Sequence, residues 1–208
     1  MNIFSCGETD TKTSKPKEKE TVLETKKIEF DIAKCAESKV EILKPKDWHF
    51  YKSASVVGYA YYITPYVYQD LGVFKSFNSL IKKRFPYVYQ DLGVFKRGLS
   101  LIVVNNVTRE TSLSPSQKME QFIENAKTIE KNLQVKRSEM PNMLGASFLV
   151  KDPAGTPESL ISSIFIIAND KEDTLYTFVF QYERKDWDEM QPICKAMLKN
   201  IKITSEGF

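Results

Sequence analysis

Ser159–Ala168, SLISSIFIIA, followed by Asn169–Thr174, NDKEDT, and Leu175–Tyr182, LYTFVFQY, is the stretch whose reading decides the fold. Successive side chains of an extended chain point to opposite faces, so Ile161, Phe165 and Ile167 share one side of the first arm and Leu160, Ile164 and Ile166 the other. A strand that is apolar on both sides is a strand covered on both sides. In the second arm Tyr176, Phe178, Phe180 and Tyr182 share a face, with Leu175, Thr177, Val179 and Gln181 opposite. The polar linker is far too short to reach a parallel neighbour, so the arms close as an antiparallel hairpin. An aromatic stripe at strand spacing is core before it is a ligand platform.

Working outward, the segment from Asp186 reads as a helix, with Glu189 as capping partner and Trp187, Met190, Cys194, Met197 and Ile201 as its inward stripe. Pro192 lies inside that pattern and predicts a kink. Upstream, Ser114–Asn132 is the clearest helix: Ser114 is the N-cap, Pro115 the first helical residue and Gln117 the capping-box partner. Met119, Phe122, Ile123, Ala126 and Ile129 make its apolar stripe. Strands are predicted at Val40–Leu43, Val56–Ile63, Gly98–Val104 and Ala146–Lys151, and Arg137–Met143 reads as a loop. The expected class is α+β, a mainly antiparallel sheet covered by helices on both faces as an α-β-α sandwich. It is expected to occupy 28–208 as a single domain, behind a charged tether at 1–27.

PYVYQDLGVFK occurs at Pro65–Lys75 and again, unchanged, at Pro86–Lys96, an offset of 21 residues. Repeat architectures need three or more divergent units, so the pair is a duplication or an inserted copy rather than a solenoid. Without Ser76–Lys96 the chain connects two adjacent antiparallel strands, which places the insertion, at about 65–96, in a surface loop. Tyr66, Tyr68, Tyr87 and Tyr89 of the two copies, together with Trp48 after the Pro45 turn, are the candidate interaction surface. Each is also a reasonable core residue; a tryptophan at a strand entrance more often seals an edge.

The net charge of +3 and the lack of a basic cluster interleaved with aromatics argue against a nucleic-acid partner. No apolar run approaches the ~20 residues of a membrane span. Cys6, Cys35 and Cys194 are the cysteines and His49 the one histidine, with no ligand spacing, so neither metal nor cofactor is expected. Cys35 and Cys194 read as buried free thiols, with pairing in an oxidising compartment as the alternative. No nucleophile elbow, phosphate loop, dinucleotide fingerprint or zinc-protease motif occurs. The two Ser-x-x-Lys matches, Ser14–Lys17 and Ser79–Lys82, stand without partner motifs, so no catalytic residue is named and the hydrolase reading is the weakest.

Ile3-Phe4-Ser5-Cys6-Gly7 followed by a Lys-, Glu- and Thr-rich run resembles the end of a bacterial lipoprotein signal, whose cysteine carries the lipid. Phe4 is bulky for that pattern and an apolar core is missing before it, so either the true start lies upstream or the likeness is accidental. Thr9–Lys27 has too little apolar surface to offset its ordering entropy.

Pro45 with Trp48, Gly98-Leu99-Ser100, Ser114-Pro115-Ser116, Leu175-Tyr176 and Trp187, in this order over Val40 to Ile203, resemble the PsbP family. That family has an α-β-α sandwich found in extrinsic photosystem II subunits, bacterial lipoproteins and a eukaryotic Ran-binding group. The resemblance implies a binding or assembly module with no catalytic residues to carry over; the chain departs from it at Pro65–Lys96 and by showing no transit segment. The expected function is that of a non-enzymatic binding or accessory protein with a protein partner, tethered as a lipoprotein facing outward from the cell envelope. A soluble intracellular adaptor is the alternative.

Overall fold

The computed structural model describes residues 28–55, 58–67 and 97–204. Cys6 and the rest of 1–27, and the repeated segment from 68 to 96 with Tyr68, Tyr87 and Tyr89, lie outside them.

Among the described residues ten strands form two antiparallel sheets. The smaller holds β1 (Phe30–Cys35), β2 (Val40–Pro45) and β10 (Lys202–Ile203) in the order β1-β2-β10. The larger is built from β3 (His49–Ser55), β4 (Gly58–Thr64), β5 (Gly98–Asn105), β6 (Lys136–Met140), β7 (Met143–Lys151), β8 (Leu160–Asn169) and β9 (Thr174–Glu183). Its order is β3-β4-β5-β9-β8-β7-β6, so the predicted hairpin, β8 with β9, stands at its centre. The register runs from Asn169 opposite Thr174 to Leu160 opposite Glu183.

Side-chain alternation along β9 divides the core. Tyr176, Phe178, Phe180 and Tyr182 belong to a cluster with Cys35, Val40 and Ile42 of the small sheet and with Trp187, Ile193, Cys194 and Met197 of α3 (Trp187–Lys199). Leu175 and Val179 belong to a second cluster with Ile164, Ile166 and Ala168 of β8 and with Met119, Phe122, Ile123 and Ala126 of α2 (Pro115–Ile129). Phe178 and Phe180 are fully buried. Each such side chain is worth about 1.5–3 kcal/mol relative to exposure, which makes the stripe a principal anchor of the fold. A short helix, α1 (Val107–Thr111), joins β5 to α2 and buries Val107 in the second cluster.

Residues 28–45, of which Val40–Leu43 was the expected strand, hold β1 and β2, and β2 pairs with β10 in a second sheet where one sheet was expected. The expected loop at Arg137–Met143 contains the edge strand β6 and a two-residue turn. Its residues, KRSEM, carry no apolar alternation because Lys136–Glu139 are exposed; backbone bonds to β7 and the Arg137–Glu120 pair hold the strand. Helix α2 has the predicted capping box, Ser114 accepting from the Gln117 N–H and Gln117 accepting from the Ser114 N–H, but it ends at Ile129, which is 38% exposed. At α3 the Asp186–Glu189 capping box is absent. A 3-10 turn over Arg184–Asp186 runs directly into the helix, leaving Asp186 at φ −102°, ψ −3°, outside the extended geometry from which a cap side chain reaches forward.

Candidate interaction surface

The end of β9 gathers the functional candidates that fall within the described residues. Trp48 follows β2 through a tight turn, its N–H donating to the Pro45 carbonyl at 2.9 Å, and its own carbonyl accepts from Lys44 Nζ at 2.8 Å. The indole stacks on Phe180 (centroids 6.4 Å, 17° between planes) and lies 6.2 Å from Tyr182. It is half-buried, sealing the core with one part and meeting solvent with the other.

Tyr66 comes to the same end by another route. β4 and β5 are adjacent and antiparallel, with Ile63 opposite Leu99, so the residues just beyond them, Tyr66 and Arg97, are brought together. Arg97 donates a hydrogen bond to the Tyr66 hydroxyl and its guanidinium carbon lies 5.6 Å from the Tyr66 ring centroid. The same guanidinium is 2.8 Å from Glu183 Oε1 and 3.9 Å from Asp186 Oδ2. Tyr66 is held further by Tyr51, whose hydroxyl donates to its carbonyl at 3.2 Å, and by its own N–H donating to Thr64 Oγ1 at 3.3 Å. Gly98, next to Arg97, has φ 120°, a conformation that side chains with a Cβ rarely adopt.

Burial opposes ionisation of Glu183, yet the Lys185 ammonium and the Arg97 guanidinium outweigh it and hold the carboxyl below the usual range. Glu183 Oε2 is buried and has the Lys185 ammonium at 2.9 Å, an ion-pair approach rather than an aligned hydrogen bond. Burial likewise disfavours charge on Arg97, but its bonds to Tyr66 and Glu183 more than compensate and raise its pKa. Burial pushes the Tyr182 hydroxyl up, keeping it neutral. The result is a fixed arginine between two carboxylates, flanked by Tyr66 and, across Tyr182, by Trp48.

Trp48 and Tyr66 are thus brought to one end of one strand, while Tyr68, Tyr87 and Tyr89 lie outside the described residues. Arg97, Glu183 and Asp186 were missed from the sequence: charged residues scattered along a chain carry no period that announces their meeting. A second polar group joins the two sheets. The Tyr61 hydroxyl lies 3.0 Å from Ser38 Oγ and donates to Glu37 Oε2 at 3.2 Å, and Lys52 binds Glu37 from the outside. Tyr61 and Ser38 are buried, so this group acts as a strut. His49 stacks on Tyr51, centroids 6.1 Å apart. Among the described residues no three His, Cys, Asp or Glu side chains stand close enough to hold a metal ion.

No protein-family model matches the chain, and no curated protein matches it. Among solved structures it is similar to cyanobacterial PsbP (CyanoP) from Synechocystis sp. PCC 6803, with a TM-score of 0.44 and 11% identity over 87% of this chain and 96% of that one. It is similar also to the Saccharomyces cerevisiae Ran-binding protein Mog1p, with a TM-score of 0.43 and 8% identity over 85% and 96%. Superpositions this loose carry neither a family assignment nor a function.

Proposed function

We propose that this chain is a non-enzymatic binding or accessory module, an α-β-α sandwich whose protein partner docks on the Trp48–Tyr66–Arg97 end of β9. The observation that carries the reading is the composition and rigidity of that end. Trp, Tyr and Arg are the residue types that dominate binding hot spots, and ordering a long arginine side chain in advance removes part of the entropy lost on association. Arg97 is already fixed by Glu183 and Tyr66. The test is cross-linking in the native host followed by purification of the chain and of its Tyr66→Ala variant. One partner retained at fixed stoichiometry by the wild type and lost by the variant supports the reading; equal recovery from both, or none from either, refutes it. Deleting Ser76–Lys96 is the accompanying control on the domain reading. The neighbouring placement of β4 and β5 favours a surface insertion, so the thermal midpoint should hold within a few degrees, roughly what a loop change of under 1 kcal/mol allows.

The Ile3–Gly7 motif and the polar run after it support a lipid on Cys6 and an outward-facing place in the cell envelope. The mass of the N-terminal peptide from the native host decides this: a diacyl or triacyl adduct on Cys6 with membrane partition supports the anchor. An unmodified peptide in the soluble fraction instead favours the intracellular adaptor, a reading to which the free, buried thiols of Cys35 and Cys194 also lean.

A further inference from the structure

β6 is the last strand of the large sheet, and no strand lies beyond it among the described residues. Which of its backbone groups face that open edge follows from the turn. Met140 and Met143 pair across Pro141 and Asn142, with Asn142 at φ 61° in the left-handed position that a type II turn demands after proline. A pair closed by a two-residue turn is of the hydrogen-bonded kind, and such pairs alternate along an antiparallel ladder. Ser138 opposite Gly145 and Lys136 opposite Ser147 are therefore hydrogen-bonded pairs as well. Arg137 and Glu139 fall between them, so their N–H and C=O groups point outward. Both side chains are exposed. Arg137 holds Glu120 with both terminal nitrogens, one of them at 2.7 Å, and Glu139 makes no ion pair among the described residues.

We propose that β6 pairs with β6 of a second copy of this chain, antiparallel, about a two-fold axis through Ser138. In that register Arg137 of each copy lies opposite Glu139 of the other, and the outward N–H and C=O groups of these residues supply four backbone hydrogen bonds. Lys136 faces Met140, Ser138 faces Ser138, and no like charges meet. Charges on an edge strand usually keep other strands away. Here their order, basic then acidic about a central serine, repels uniformly basic or acidic strands and matches its own reverse. The interface is isologous and closes at two copies, joining the sheets into one.

The experiment is sedimentation equilibrium of the full chain at concentrations up to about 1 mM, in the range where four backbone bonds and two exposed ion pairs should register. A monomer–dimer equilibrium that weakens with salt is expected. Glu139→Pro removes an outward N–H and leaves the β6–β7 ladder intact, so it should weaken association at least about tenfold with an unchanged circular dichroism spectrum. Glu139→Arg and Arg137→Glu should each fail to self-associate, and their mixture should form a heterodimer in which every facing pair is opposite in charge. A wild type that remains monomeric throughout, whether or not β6 accepts a strand from another protein, overturns the proposal. So does a dimer indifferent to Glu139→Pro, or a mixture that stays monomeric while both variants are folded.

Discussion

Asp170 and Ser116 are joined twice: the backbone N–H of Ser116 donates to Oδ1 at 2.8 Å and its hydroxyl donates to Oδ2 at 2.7 Å. Three residues on, Asp173 Oδ1 accepts from the N–H and the hydroxyl of Thr108 at 2.9 and 2.8 Å. The β8–β9 turn therefore holds the starts of both α1 and α2, and its aspartates do for these helices what a cap side chain does within a helix. Asp170→Ala and Asp173→Ala should each cost about 1–2 kcal/mol, the range of lost N-caps. Lys171→Ala, between them and exposed, should change little. Urea denaturation checks all three; an unmoved midpoint in Asp170→Ala would refute the clamp.

Gly98 at φ 120° places Arg97 over Glu183. Gly98→Ala should destabilise by about 1–3 kcal/mol, the cost of forcing a Cβ into that region. Partner retention should fall with it, because Arg97 would shift; a variant of wild-type stability would show the backbone there to be freely adjustable.

Acid should weaken the fold through Glu120 and Glu183. Hydrogen bonding to Arg137, against a smaller effect of burial, holds Glu120 below its ordinary value of 4.5, and Glu183 is held low as described above. A carboxylate depressed in the folded state contributes stability that is fully present above its unfolded value and is lost as pH falls through the folded one. The urea midpoint should therefore decline from about pH 5 downward. In Arg137→Met the decline should be shallower, and the gap from wild type should close at low pH; parallel curves would contradict the assignment.

Burial pushes the Cys35 thiol up to about 12, with Glu37 adding to the effect, and the Cys194 thiol up to about 11. In a Cys6→Ser background, reaction with a chromogenic disulfide at pH 8 should wait on unfolding, so that labelling and loss of circular dichroism rise together with urea. Immediate labelling of one thiol would place it at the surface.

Much of the centre was legible from residues alone. Ile164–Ile167 and Tyr176–Tyr182 announce a two-sided core strand and its aromatic neighbour by their period, and Ser114-Pro115 with Gln117 marks the start of α2 by local hydrogen-bond chemistry. β6 was not legible, since an exposed edge strand has no face to bury. The Asp186 cap failed because the preceding turn, set by how β9 leaves the sheet, fixed its backbone otherwise.

The sequence by itself determined the hairpin, the capped helix and the two apolar faces that need covering, because period and capping act over a few residues. Tertiary structure decided that residues 28–45 and the last strand form a sheet of their own, and that Arg97, Glu183, Tyr66 and Trp48 meet at one end of β9. Strand order is a property of the whole chain's burial. It brings distant charges and rings into contact without any local pattern to mark them beforehand.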